Sequence, residues 1–460
     1  MKVESIQEKV LPKIMKFANS KIIIAIKDGI ITTMPLTLIG SIFLLIANFP
    51  FPSQAGWNAI MTGAFGANWA EPLNQVSGCT FDIMALVAVF GIASQYAKNE
   101  GCDSISAGIL GLVSFLIITP SYVPFKGGDK FGGVALKTAD KVGGIIPKGW
   151  TGGKGMITAI LVGLIAGYVY SWFIKRDIRI KLPEGVPEGV VNAFASLIPG
   201  AVLITGSMLV YIALKVATGG TFVEWIYKVL QIPLQGITDS LGGAMAIPFA
   251  VSFLWWFGIH GSNLVGGVMS SILQANGLAN QDVVKTGAKL IASGAGKNAH
   301  IVTQQFMDQY ITFGGAGMTL GLVIAMLFFA KSQRLKTLSK LSIVPGMFNI
   351  NEPILFGFTI VLNPFMAIPF VLVPLFSGII TYFAIYSGLV PCFTAVQVPW
   401  TTPPIISGFI VAGWRGAALQ ILLILMAAVV YLPFFKSQDA QYVKEELSSA
   451  SIENGVNVEK

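Results

Sequence analysis

The sequence predicts an all-α, polytopic membrane fold, and three observations carry that prediction. Of its 460 residues, 54% are hydrophobic and only 11% charged, against about a quarter charged in soluble domains. Mean hydropathy is +0.73, and the apolar residues gather in uncharged runs that approach or exceed the roughly 20 needed to cross a bilayer. Many Lys and Arg stand at the ends of those runs, as the bias of basic residues toward cytoplasmic loops requires. That placement accounts for the net charge of +8 and excludes a nucleic-acid reading.

The elements follow in order. The first 28 residues are a Lys-rich amphipathic stretch (Lys2, Lys9, Lys13, Lys16, Lys21, Lys27). They have no apolar core or small-residue cleavage site, so the chain is expected to stay whole with this stretch on the cytoplasmic face. Five nearly uncharged segments come next: Gly29–Phe49, Phe81–Ala97, Ile105–Pro120, Gly155–Ile174 and Val190–Leu214. Alternating them from a cytoplasmic start puts Lys98 and the Lys175–Lys181 cluster inside. Ser121–Lys154 then falls outside, although it carries six Lys; its Gly-rich, hairpin-like composition weakens the rule there. The expected organisation is an N-terminal segment (1–28), an N-terminal transmembrane half (29–217), a C-terminal half with re-entrant segments (218–435) and a polar cytoplasmic tail (436–460).

The second half is less regular. Ser240–Gln281 holds no formal charge but is broken by Gly258, Gly261, Gly266 and Gly267. Counting Val190–Leu214, Ser240–Gln281 and Gln309–Ala330 as one crossing each gives three crossings between two basic clusters, Lys175–Lys181 and Lys331–Lys340. Three cannot return the chain to the side it left, so some part of 240–330 must enter and leave on one side, or cross twice. From Leu341 to Trp414 Glu352 is the sole formal charge, with seven further prolines beyond Pro353. Irregular backbone at membrane depth is tolerated where it lines a cavity, and interrupted apolar segments point to a transport site.

The residues able to carry chemistry lie in those breaks. Glu352, in NINEPILFGF, is a carboxylate that costs about 2.5–3.5 kcal/mol or more at mid-membrane unless it is solvated or paired; the alternative is an interfacial helix-end acid. His260, in WWFGIHGSN, is a titratable ring at a glycine-flanked break, and a hydrogen-bonded core histidine is the competing reading. His300, in GKNAHIV, reads as solvated or interfacial. Trp255 and Trp400 fit either a sugar face or an aromatic membrane belt. Asn263, Asn349, Asn351, Asn363 and Gln397 could bind hydroxyls or cap broken helices. Cys79, Cys102 and Cys392 have neither disulfide nor metal spacing, no Walker, GxSxG, HExxH or dinucleotide-binding pattern occurs, and no metal or cofactor is expected.

Four stretches, DGIITTMPLTLIGSIFLL, WWFGIHGSN, FNINEPILFGFTIVLNP and VPWTTPPIISGF, together resemble one family. They are similar to the enzyme IIC permeases of the bacterial sugar phosphotransferase system, in the lactose/cellobiose/diacetylchitobiose branch, and the likeness runs in order from about Ile6 to Phe435. The resemblance implies about ten transmembrane helices, re-entrant hairpins and a homodimer formed through the N-terminal half, in the cell membrane with both termini cytoplasmic. It implies that Glu352 and His260 are the essential acid and histidine, with Trp255, Trp400, Asn263 and Asn351 on a disaccharide. It further implies phosphorylation of the sugar 6-hydroxyl by a phosphocysteine-bearing IIB protein, with IIB and IIA as separate proteins. A proton-coupled secondary transporter explains the buried acid equally well but not the motif set. A passive channel would need a hydrophilic stripe on several helices, which the sequence lacks.

Overall fold

A computed structural model describes residues 16, 20–47, 49, 54–125, 130–131, 134–135 and 140–456. Most of the expected N-terminal amphipathic segment therefore lies outside the described residues. What is described of it begins the first membrane helix, Lys21–Ile31, capped by the Ser20 hydroxyl and continued after a two-residue turn by Met34–Ala47.

Among the described residues, six helices or helix runs are long and apolar enough to cross a membrane: Lys21–Ala47, Glu71–Asn99, Gly153–Lys175, Leu197–Thr218, Pro364–Tyr386 and Ile406–Ser448. A seventh span arises if the pair Phe222–Thr238 and Leu241–Trp256, bent by 78°, is counted as one. Ser104–Ile117 and Ala316–Phe329 are shorter apolar helices. The body is all-α and membrane-spanning. In the 121–154 segment Tyr122–Phe125 pairs antiparallel with Asp140–Gly143, and Lys130–Phe131 with Val134–Ala135, the hairpin its glycines suggested.

Two polar clusters show which ends share a face. The Glu100 carboxylate bonds both Lys21 and Lys175, so the start of the first helix, the end of Met84–Asn99 and the end of Met156–Lys175 lie together. At the other end of the chain, Asp439 accepts from Lys331 N (2.8 Å), Ser332 N (3.0 Å) and Ser332 Oγ (2.7 Å). Glu446 accepts from the backbone N–H groups of Gln333 and Arg334. These carboxylates satisfy the open N–H groups of the Gln333–Met347 helix. The stretch expected as a polar cytoplasmic tail, 436–460, is helical where it is described. The last helix continues to Val456, because its acids have a helix terminus to cap.

Two other segments divide. Ser240–Gln281 is two helices, Leu241–Trp256 and Gly261–Lys285. The chain turns at Gly258, whose φ of +78° suits glycine. Gly261 cannot carry a side chain, since a Cβ there would lie 2.1 Å from the Val251 carbonyl oxygen. Gln309–Ala330 is likewise not one span. The chain breaks between Gln304–Tyr310 and Leu320–Phe329, with Gly314, Gly315 and Gly317 all at positive φ. The bent pair and these breaks fall in or beside 240–330, the stretch where the parity of the basic clusters calls for an irregular crossing. The last helix is also kinked, at Ala412 and Gly413.

A large apolar cluster fills the C-terminal half, including Trp255, Phe306, Tyr310, Phe370, Tyr431 and Phe435. A second, around Met84, Phe115 and Met156, fills the N-terminal half. The halves meet where Lys21–Ile31 packs on Gly261–Lys285, and the Gln397 N–H donates to Ser41 Oγ at 2.8 Å.

Candidate functional site

The broken elements converge on a cavity of about 860 Å³. Its walls come from the first two helices, the start of Gly261–Lys285, the Gln304–Tyr310 helix, the 349–353 turn and the 397–400 loop.

His260 stands at the head of Gly261–Lys285 as its N-cap. The Asn263 N–H is shared between His260 Nδ1 at 3.2 Å and the His260 carbonyl at 3.1 Å. Because Nδ1 accepts, a neutral ring carries its proton on Nε2. Trp255, on the preceding helix, lies with its ring centroid 4.3 Å from that of the imidazole. Its Nε1 donates to Ser262 Oγ at 3.4 Å, and it is 7% exposed. Trp255 lines the cavity while packing against the His260 ring, so little of its indole is open to a ligand.

Glu352 begins the short Glu352–Gly357 helix, with Pro353 in its first turn, where a missing N–H is harmless. Its side chain opens into the cavity, so solvent rather than an ion pair offsets the charge; no salt bridge reaches it among the described residues. Glu352 and His260 line the same cavity.

The two flanking amides hold the turn. Asn349 adopts φ +65°, which Asn tolerates better than most residues. Its Oδ1 accepts from Gly314 N, and its Nδ2 donates to the carbonyls of Trp400 and Thr402. Asn351 Nδ2 donates to the Ala316 carbonyl (2.7 Å) and Thr319 Oγ1 (3.0 Å). Asn351 was expected on the sugar; its donor is committed to the Ala316 carbonyl and the Thr319 hydroxyl, although the residue borders the cavity. Asn349 thus positions Trp400, which is 50% exposed and borders the cavity. Asn263 is exposed there too. Asn363 instead caps the Pro364–Tyr386 helix, accepting from Phe365 N and Met366 N.

Sequence reasoning missed Asp308. It faces the cavity from the Gln304–Tyr310 helix and accepts from Gln304 Nε2 at 2.9 Å. The amide oxygens of Gln274 and Gln304, both on lining residues, are buried without a protein partner. Buried polar atoms are ordinarily bonded, so these are aimed at something the protein does not supply. The spacing of Gln304 and Asp308, one face at successive helical turns, was the available signal, but the helix that carries it is only seven residues long. His300 stands away from the cavity lining. With Lys297 and the N–H groups of Ile301 and Val302, it surrounds the buried Asp239 carboxylate, an anchor for the loop before Gln304.

The fold and site thus describe a membrane-spanning body with a polar-lined cavity fed by broken helices, and among the described residues no group of His, Cys, Asp and Glu could hold a metal ion. The chain belongs to the family described as "Phosphotransferase system, EIIC", whose model matches residues 27–374, and it is therefore a membrane-spanning sugar permease component of that system. It is 39% identical over 447 residues to the lichenan permease IIC component of Bacillus subtilis (strain 168), covering 96% of this chain and 94% of that one. It is 38% identical over 459 residues to the cellobiose-specific EIIC component of Geobacillus stearothermophilus, covering 98% of each. The crystal structure of the transporter ChbC, the IIC component of an N,N′-diacetylchitobiose-specific phosphotransferase system, superposes with a TM-score of 0.88. That match is at 39% identity and covers 96% of this chain and 99% of ChbC.

Proposed function

We propose that this chain binds a β-linked disaccharide of the cellobiose, diacetylchitobiose or lactose type and carries it across the membrane while the sugar 6-hydroxyl is phosphorylated by a separate IIB protein. The observation that carries the reading is the pairing of Glu352, open to the cavity, with His260, whose Nδ1 bond leaves Nε2–H to donate. Phosphoryl transfer asks the acceptor side for positioning and charge management more than for covalent work. Glu352 takes the hydroxyl proton, O6 attacks phosphorus, the P–S bond of the phosphocysteine breaks, and the thiolate stays on IIB. His260 Nε2–H holds the reacting oxygen. Trp400 stacks on a sugar ring, while Asp308, Gln274, Gln304 and Asn263 bind ring hydroxyls. The anionic product leaves on the donor's side, repelled by the two cavity carboxylates once its hold in the cavity is released. A IIA protein recharges IIB.

The same reading assigns ten membrane elements: the six long spans, the bent pair, the two short apolar helices and Gly261–Lys285. It places both termini in the cytoplasm and Ser121–Lys154 outside, with the 29–217 half forming a homodimer and the 218–435 half carrying the site. Uptake of radiolabelled cellobiose into proteoliposomes, with and without phosphorylated IIB, tests the function. Accumulation of sugar phosphate only with phosphorylated IIB supports it. Uptake of free sugar driven by a proton gradient alone replaces it with secondary transport.

A further inference from the structure

The cavity's charges are unbalanced for the chemistry proposed. Among its described lining residues Glu352 and Asp308 are acids, and Lys27 is the single Lys or Arg. A disaccharide is neutral and needs no cation. A phosphoryl group carries negative charge on three oxygens through the transfer, and both carboxylates repel it. Enzymes that move phosphoryl groups meet that charge with a fixed cation or preorganised donors.

Lys27 is placed to do this. It sits on Lys21–Ile31, where that helix crosses Gly261–Lys285. Gly267 forms the notch: a Cβ at Gly267 would lie 3.2 Å from Lys27 Cβ. Gly267 is seven residues, about 10 Å of helix, beyond His260, and Lys27 and His260 line the same cavity. The Lys27 ammonium is held only loosely. Its ion pair is with its sequence neighbour Asp28, 3.3 Å away and with both side chains about one-third exposed. Exposed pairs of this kind contribute little, so the ammonium can exchange Asp28 for a stronger anion.

Resting on the phosphotransfer reading above, we propose that Lys27 forms a phosphoryl subsite in the cavity, holding the group's oxygens as it passes from the IIB cysteine to the sugar and retaining the sugar phosphate until release. The partner chemistry is a phosphate monoester or phosphoryl dianion, from either donor or product.

Three readings on Lys27→Gln test this: cellobiose affinity by calorimetry, turnover with phosphorylated IIB, and competition of cellobiose 6′-phosphate with cellobiose. Cellobiose affinity is expected to stay near wild type. Turnover should fall about a hundredfold, as for loss of one transition-state donor. The sugar phosphate should compete about tenfold less well, as for loss of one charge-assisted hydrogen bond, and Lys27→Arg should restore part of both losses. Turnover close to wild type, unchanged competition by the phosphate, or equal loss of cellobiose affinity and turnover would each overturn the subsite. If Lys27→Gln is not recovered folded, Lys27→Met keeps the aliphatic stem against Gly267 and is held to the same outcomes. Wild-type protein run alongside separates the two ideas. If it forms no sugar phosphate, the function fails; if it does while Lys27→Gln matches it, only the subsite fails.

Discussion

Two tryptophans that look alike in sequence should respond differently to the same substitution. Trp400 is half exposed, is held through its backbone carbonyl by Asn349, and borders the cavity. Trp400→Ala removes a stacking face and little packing. A base stacked on an aromatic is worth about 1–3 kcal/mol; a sugar falls at or below that range, so affinity should drop about 5- to 100-fold with the melting temperature nearly unchanged. Trp255 is buried in the C-terminal core against the His260 ring. Trp255→Ala opens a cavity, for which about 3–5 kcal/mol is typical, and it frees His260 to rotate. It should lower the melting temperature clearly and reduce turnover more than binding. Trp255→Phe, which keeps most of the packing and loses the Ser262 bond, should recover most of the stability. The assay is thermal unfolding in detergent together with calorimetric titration of cellobiose. Wild-type affinity in Trp400→Ala, or an unshifted melting temperature in Trp255→Ala, would refute the division of labour.

Further expectations follow from the site's supports. Asn349→Ala removes an amide serving three backbone groups and places Ala at φ +65°. At about 1 kcal/mol per bond, it should destabilise the protein by about 2–4 kcal/mol and loosen Trp400, read as lower melting temperature and weaker sugar affinity. A melting temperature and affinity equal to wild type would contradict that role. Asp308→Asn exchanges a charged acceptor for a neutral one at nearly constant size and should weaken cellobiose binding by about 1–2 kcal/mol. Unaltered calorimetric affinity would take Asp308 off the sugar.

The sequence made the membrane class legible because bilayer spanning imposes a long, local, uncharged pattern, visible at Pro364–Tyr386 or Leu197–Thr218 without any partner. It also located the site's breaks, since Gly258, Gly261 and Pro353 each leave a local signature. Boundaries set by tertiary contacts were not legible. Nothing near residues 436–456 shows that Asp439 and Glu446 cap a helix about a hundred residues earlier, so that stretch read as a tail. The Gln304–Tyr310 helix is too short to declare itself, which hid Asp308. Trp255 and Trp400 differ only in what covers them, a property of packing, and the commitment of Asn351 to Ala316 and Thr319 depends on a loop thirty-odd residues away in the chain.

The central claim is that Glu352 is the base for a sugar hydroxyl in a phosphotransfer-coupled permease, and one measurement bears on it directly. Glu352→Gln preserves size and can still hydrogen-bond a hydroxyl, but an amide cannot take its proton. The purified variant in proteoliposomes, supplied with phosphorylated IIB and radiolabelled cellobiose, is followed for sugar phosphate formed and, separately, for cellobiose affinity. A positioned base contributes about 10²–10⁴-fold, so turnover should fall by that factor while affinity changes by no more than a few-fold. Sugar phosphate forming at a near wild-type rate would contradict the account and leave Glu352 as a helix-end carboxylate bordering the cavity.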